Sequence, residues 1–311
     1  MSLTSEQLEE RLNYICGSDA AVICGVSPWG NVVQLWQEKT RQIHRKDISD
    51  NPYIKAGNFL EPAVRAWFEH ETGLKVTIDN NLIVHPDIPY LAGNIDGRVG
   101  DDAIFEAKTA SHDEGWGQTN HNQIPDHYLL QISHYMLVAN VQKAHVAVLI
   151  RGNDFRYYTI ERNPKLEEMM LRKYREFWKC VTKNIAPTPS NGAEVLSLYG
   201  YRSIEDQVIA DNDIQENLER LQNVRESIKK SSELKDKLED KIKIYMGQKD
   251  TLVSSSGRIA ATWKEAAESR RFDMQAFKEE NEELYNKYTK TGAASRRFIF
   301  KQQQQEGREV T

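Results

Sequence analysis

A chain of 311 residues is long enough for one large domain or two modest ones, and 39% hydrophobic with 28% charged residues is ordinary soluble composition. No apolar run approaches the roughly 18–20 residues of a bilayer span, and the polar start MSLTSEQLEERLNY lacks the apolar stretch of a secretory leader, so the expected compartment is the cytoplasm. A formal net charge of −5 does not announce a nucleic-acid binder, yet it excludes none, because phosphates are neutralised locally.

In chain order, Ser18-Asp19 precede a short apolar helix, AAVICGV, ended by Gly25. Asn31–Thr40 has helical spacing, with Val32, Leu35 and Trp36 on one face. Asn58–Thr72 is a stronger helix whose apolar stripe is Phe59, Leu60, Val64, Trp67 and Phe68, stopped at Gly73. Four short runs rich in β-branched and aromatic residues follow: Lys75–Ile78, Asn81–His85, Leu91–Val99 and Ile104–Lys108. Helical spacing returns over Pro125–Val138. Ala144–Ile150 and Arg156–Ile160 flank a turn at Arg151-Gly152-Asn153-Asp154, and Pro164–Lys183 is an amphipathic helix. This order implies an α/β core around a mixed sheet flanked by helices, spanning residues 1–185.

Residues 186–195, with Ala186-Pro-Thr-Pro-Ser-Asn-Gly192, read as a linker to an extension over 196–311. There Ile204–Met246 is long, charged and helical, with a register shift near Ser231-Ser232 that implies a broken helix or an antiparallel pair. Leu252–Trp263 reads as a hairpin turning at Ser255-Ser256-Gly257, Asp273–Tyr288 as a helix, Arg297–Lys301 as a strand, and QQQQEGREVT as a frayed tail.

The chemistry centres on Asn94-Ile95-Asp96-Gly97, followed after nine residues by Glu106-Ala107-Lys108. A strand alternates faces, so Glu106 and Lys108 share a side while Ala107 faces the core. Two carboxylates can hold a hard cation such as Mg²⁺ that polarises a phosphate and activates water, and an ammonium can position that water or neutralise the phosphorane. Taken alone, the same pattern is also that of a surface ion pair. Glu61 beside the apolar stripe is either a solvent-facing edge residue or a further metal or water ligand. Tyr128, Gln131 and Tyr135 share a helix face; they are either a partly wet packing face, or Gln131 holds a phosphate oxygen or water while the tyrosines flank DNA. Cys16, Cys24 and Cys180 have no metal-ligand spacing, so no zinc or iron–sulfur centre is expected. His85, His112, His121, His127 and His134 suggest no site, the last four being expected mostly in solvent. Thr109–Ile124 reads as a mobile loop whose Trp116 either stacks on DNA or packs.

Several segments, in order, resemble the lambda exonuclease/YqaJ-type viral recombinase family of the PD-(D/E)xK nuclease superfamily. They are Arg11 with Cys16-Gly17-Ser18-Asp19-Ala20-Ala21, Leu35-Trp36-Gln37-Glu38-Lys39-Thr40, Gly57 with Glu61, Gly93-Asn94-Ile95-Asp96-Gly97, Phe105-Glu106-Ala107-Lys108, and Ile124-Pro125 with Tyr128 and Gln131. The resemblance implies a restriction-endonuclease-like core and Mg²⁺-dependent 5′→3′ digestion of one strand at a linear duplex end, with Mn²⁺ expected to substitute. It makes Asp96, Glu106 and the Ala107 carbonyl metal ligands, Lys108 the water-positioning or transition-state lysine, and Glu61 and Gln131 the residues that complete the site. Arg11 and Ser18 match the family's pocket for a 5′-terminal phosphate, where Ser18 is equally a helix N-cap. One departure is Cys16, which stands in the family's run of small residues. A homotrimeric ring and a single-strand annealing partner in phage recombination are implied in the same way. The competing readings are an endonuclease on the same core and a non-catalytic scaffold that binds DNA ends. The extension resembles that of some YqaJ-type phage proteins; its Lys264, Arg270, Arg271, Arg296 and Arg297 are either phosphate contacts or solvated charge.

Overall fold

The computed structural model describes residues 5–44, 48, 50–79, 81–119, 121–201, 204, 206–266, 268–290, 292 and 295–301. The expected frayed tail lies outside them. The chain divides into two compact units, Met1–Gly200 and Tyr201–Thr311.

The first unit opens with α1 (Ser5–Glu10), a 3₁₀ turn (Arg11–Asn13), α2 (Gly17–Cys24), α3 (Val32–Lys39) and α4 (Pro52–Thr72). Local chemistry sets their ends. The Asn31 side chain accepts the Gln34 N–H at the start of α3, and Asn51 with Pro52 starts α4. Gly25 and Gly73 close α2 and α4 at φ 81° and 71°, a region that side chains with a Cβ disfavour.

Next come β1 (Ile83–Val84), β2 (Ala92–Gly93), β3 (Gly97–Val99), β4 (Ala103–Ala110), α5 (Asp126–Ala139), β5 (Lys143–Ile150), β6 (Asp154–Glu161), α6 (Pro164–Lys183) and α7 (Gly192–Tyr199). The main sheet runs β3-β4-β5-β6, with β4 and β5 parallel and the outer pairs antiparallel. Parallel neighbours need a crossover, and α5 lies within it. This is the expected mixed α/β core.

Strand alternation builds two apolar layers. Ile104, Val146, Val148 and Ile150 pack with Ile132, Tyr135 and Met136 of α5. Phe105, Ala147 and Leu149 pack with Val64 and Phe68 of α4 on the opposite face, and Ala107 joins that side. Glu106 and Lys108 therefore fall on the α5 face. Of the stripe expected on α4, only Val64 and Phe68 are buried; Phe59 is 84% exposed and Trp67 stacks on Phe155 at 4.6 Å. The helix also begins at Pro52, before the Asn58 expected from spacing.

The first unit extends past the 186–195 linker read from composition, because α7 is fastened to α3. Gln37 donates to the Ser197 carbonyl at 3.0 Å, and Ser197 Oγ donates back to Gln37 at 2.8 Å.

In the second unit, α8 (Asn212–Met246) is one uninterrupted helix, neither broken nor paired at Ser231-Ser232. It contains no Gly or Pro, and side-chain pairs one turn apart such as Glu216–Arg220 and Lys235–Glu239 support it. The expected hairpin is β7 (Thr251–Val253) with β8 (Ile259–Thr262), turning through Gly257 at φ 78°. Asp273–Tyr288 forms two helices, α9 (Met274–Glu280) and α10 (Glu282–Tyr288), because the backbone leaves helical geometry at Asn281. Arg297–Lys301 is not a strand; it joins no ladder among the described residues. No helix of the described residues is long and apolar enough to cross a membrane.

Candidate active site

β4 carries Glu106 and Lys108 two residues apart, and their side chains meet, with Lys108 Nζ donating to Glu106 Oε1 at 2.7 Å. Glu106 is buried and Lys108 is partly buried, so this is not the exposed surface ion pair that the spacing also allowed. Gln131, one turn inside α5, accepts from Lys108 at 3.3 Å and donates to Tyr135 Oη at 2.9 Å. Asp96 lies between β2 and β3, and its Oδ2 accepts the Ala107 N–H at 2.9 Å, which fixes that carboxylate against β4. Glu61 of α4 is partly buried, and its charge acts on both Asp96 and Glu106. The structure therefore gathers five residues from three elements and the loop between β2 and β3.

The electrostatics of this cluster are unbalanced. Burial and then the neighbouring Asp96 push the Glu106 carboxyl up to about 8, although Lys108 opposes them. Burial also raises Asp96. Lys108 is held above its ordinary range because the carboxylates, Glu106 first, outweigh its own burial. Glu106 Oε2 is buried and has no hydrogen-bond partner, a costly state for a carboxylate oxygen. Asp96, Glu106 and Glu61 act on one another through their charges beside Lys108, a carboxylate-rich donor set that suits a hard divalent cation. Among the described residues, no three His, Cys, Asp or Glu side chains form a metal cage. A cation here would take two carboxylates and complete its shell from backbone carbonyl and water, as Mg²⁺ commonly does.

The residues matched to a 5′-phosphate pocket also come together. Arg11, in the 3₁₀ turn, donates from Nη2 to Ser18 Oγ at 3.2 Å. Among the described residues Arg11 Nε is buried without a partner, and Arg11 lines a small cavity of about 140 Å³ with Gln7, Glu10, Asn81, Leu82 and Asn94. Ser18 is not the N-cap of α2. Cys16 holds that position, and Asp19 accepts the Cys16 N–H at 2.9 Å, leaving the Ser18 hydroxyl exposed beside Arg11.

Four readings are decided by packing. Trp116 is buried against Tyr128 and Tyr158, so it offers DNA no face. Tyr135 is likewise buried, its ring 2.9 Å from where a Cβ on Gly93 would sit and overlapping where one on Gly17 would sit. Within the segment expected to be mobile, Trp116 and Gly117 are pinned, since Arg156 donates to their carbonyls at 2.8 and 3.1 Å and Tyr158 Oη donates to the Gly117 carbonyl at 2.6 Å. Of the four histidines expected mostly in solvent, His134 is fully buried between Tyr174 Oη and the Ala92 carbonyl, and burial lowers it to about 4.

Tyr128 stays partly exposed, with the Lys108 ammonium 5.0 Å from its ring centre. Two aromatic residues that the sequence did not single out for this place extend its surface. His127 lies 4.2 Å from Tyr128 by ring centres, and Trp29, 71% exposed, packs edge-on to His127 at 4.8 Å. Trp29 comes from the loop between α2 and α3, about a hundred residues from α5, so no local pattern points to it.

Residues 6–142 match the model of the YqaJ-like viral recombinase domain. A relative, the uncharacterized protein YqaJ of Bacillus subtilis (strain 168), is 33% identical over 294 residues, covering 92% of this chain and 90% of the relative. Among solved structures, the alkaline exonuclease LHK-Exo of Laribacter hongkongensis aligns with a TM-score of 0.46 and 21% identity, over 58% of this chain and 94% of that one. A phage-related exonuclease from Haemophilus somnus 129PT aligns at 0.43 and 13% identity, over 55% and 95%. Aligned with the Bacillus relative through nearly all of its length, the chain belongs to the YqaJ family.

Proposed function

We propose that the protein is a metal-dependent deoxyribonuclease that resects linear duplex DNA from the 5′ end and leaves a 3′ single strand for recombination by strand annealing. One observation carries the metal-dependent hydrolase reading: a buried Glu106 with an unpartnered oxygen, set beside Asp96 and bonded to Lys108. The 5′→3′ polarity, a homotrimeric ring and an annealing-protein partner follow the family resemblance.

Asp96, Glu106 and the Ala107 carbonyl are the residues that would hold Mg²⁺, with Glu61 acting through water. When bound, the ion supplies Lewis-acid polarisation of the phosphate and a more acidic water. Lys108 is kept protonated by its carboxylate neighbours, so its role is to donate hydrogen bonds and offset phosphorane charge rather than to act as a base. Gln131 accepts from Lys108 and donates to Tyr135, which fixes the direction of the ammonium. Arg11 and Ser18 offer a guanidinium and a hydroxyl to a terminal phosphate. Tyr128, His127 and Trp29 form the exposed aromatic edge along which DNA would lie.

The test offers linear duplex with 5′-phosphate or 5′-hydroxyl ends, next to closed circular DNA, with Mg²⁺ or with EDTA. Degradation of linear duplex alone, faster from 5′-phosphate ends and stopped by EDTA, is the expected result. Cutting of closed circles would replace this reading with an endonuclease, and binding without cleavage would replace it with an end-binding scaffold.

A further inference from the structure

Lys39 ends α3 and is buried, and each of its three ammonium protons has one acceptor. They are the Arg11 carbonyl at 2.9 Å, the Tyr14 carbonyl at 2.5 Å and Asp19 Oδ2 at 2.6 Å. Nothing of this cation is left for a ligand. Its acceptors are informative in another way. Arg11 and Tyr14 bracket the 3₁₀ turn that carries the Arg11 guanidinium, and Asp19 sits in the first turn of α2, next to Ser18. Asp19 also accepts the Cys16 N–H, which ties the entry of α2 to the same carboxylate. One ammonium therefore clamps the turn bearing Arg11 to the helix start bearing Ser18.

We propose that Lys39 and Asp19 are positioning residues for 5′-phosphate recognition: they hold Arg11 and Ser18 in the geometry that accepts a terminal phosphate without touching it. This rests on the 5′-end reading above. The Asp19 charge acts on Arg11 as well, but its direct contacts are to Lys39 and the Cys16 amide, so the pair's hold on the turn is geometric. Among the described residues Arg11 Nε has no partner and Nη2 donates to the Ser18 hydroxyl, which can itself meet a phosphate, while the side chain also engages the Cys16 thiol. A neighbouring carboxylate in direct contact with Arg11 would have competed for those donors. Asp19 is instead engaged by Lys39, and its closest contacts are the Lys39 ammonium and the Cys16 amide.

The experiment uses the full chain and measures kcat/KM on linear duplexes that differ only in a 5′-phosphate or a 5′-hydroxyl. Variants are Lys39→Met, the charge-free pair Asp19→Asn with Lys39→Met, Arg11→Ala, and Arg11→Ala combined with Lys39→Met. Circular dichroism melts show which are folded, and if the single Lys39 variant does not fold, the charge-free pair carries the test. The expected result is a fall in the phosphate-to-hydroxyl ratio of roughly 10–100-fold, the worth of a charged hydrogen bond. Combination with Arg11→Ala should lower the ratio no further, because both changes remove one interaction. A merely structural role would slow both ends alike and leave the ratio unchanged in a folded variant; that outcome, or losses that multiply with Arg11→Ala, overturns the proposal. If the unmodified protein itself shows no phosphate preference, the end-binding reading fails and takes this proposal with it. If Arg11→Ala alone abolishes the preference, that reading stands and only the role of Lys39 and Asp19 is at stake.

Discussion

Lys39–Asp19 and Lys108–Glu106 are both buried ion pairs, 2.6 and 2.7 Å long, in the same unit of the chain. Their surroundings differ in one respect. Around Lys39 every ammonium proton has an acceptor, and Asp19, despite its burial, is held below the usual carboxylate range by Lys39 and by the Cys16 amide. Around Lys108 one carboxylate oxygen has no partner, and Glu106 is driven upward by burial and by Asp96. Burial of a charge is tolerated when partners complete it. The first pair is complete and the second is not, and the incomplete one lies where the chemistry is proposed.

Breaking each pair in turn tests this contrast. Lys39→Met leaves Asp19 buried and uncompensated, so a loss on the order of 3–5 kcal/mol is expected in chemical denaturation. Glu106→Gln, without metal, should leave stability unchanged or raise it, because the carboxylate it removes is already poorly compensated. A comparable loss in both variants would erase the distinction. The next effect is on turnover. Lys108→Ala should retain binding of duplex ends yet lose cleavage by roughly 10²–10³-fold or more, the range for groups that offset transition-state charge. Cleavage near the unmodified rate would remove Lys108 from the site.

The smallest effect is a pH dependence outside both pairs. His134 is buried neutral, with its folded value near 4 against 6.5 for an ordinary histidine. A depressed value means that its contribution is fully present above pH 6.5 and is lost as pH falls toward 4, on the order of 3 kcal/mol in total. The stability difference between the unmodified protein and His134→Gln should therefore shift toward the variant across that window. A difference that stays flat from pH 7 to 4 would mean that His134 is not buried neutral. Comparing the two proteins at each pH removes the contribution of Glu106, whose slope has the opposite sign.

The main strands and the face that carries Glu106 and Lys108 were legible in the sequence because they follow from short-range rules. Period-two alternation on β4 puts Glu106 and Lys108 on one side and Phe105 and Ala107 on the other, whatever the rest of the chain does. Helical spacing aligned Gln131 with Tyr135, and the structure joins them at 2.9 Å. What was not legible depends on partners distant in sequence. Trp116 and His134 lie in segments rich in polar residues, yet Arg156, Tyr158 and Tyr174 bury them by reaching back from later elements. Phe59 and Trp67 fit a helical stripe, but β4 and β5 cover only the narrower face of Val64 and Phe68. Lys39 was visible as part of a family-like segment, and its role was not, because its acceptors belong to a turn about 28 residues earlier.

One side chain gives the first unit a property beyond chemistry. The Tyr135 ring is wedged where neither Gly17 nor Gly93 could carry a Cβ, while its hydroxyl is bonded to the glutamine that steers Lys108. The same ring thus abuts the helix that presents Ser18 and the network that holds the Lys108 ammonium. It works as a gauge block: under the proposed function, the spacing between the anchored end of a strand and the place of cleavage would be set by the width of one aromatic ring, and the two glycines are the clearance cut to seat it.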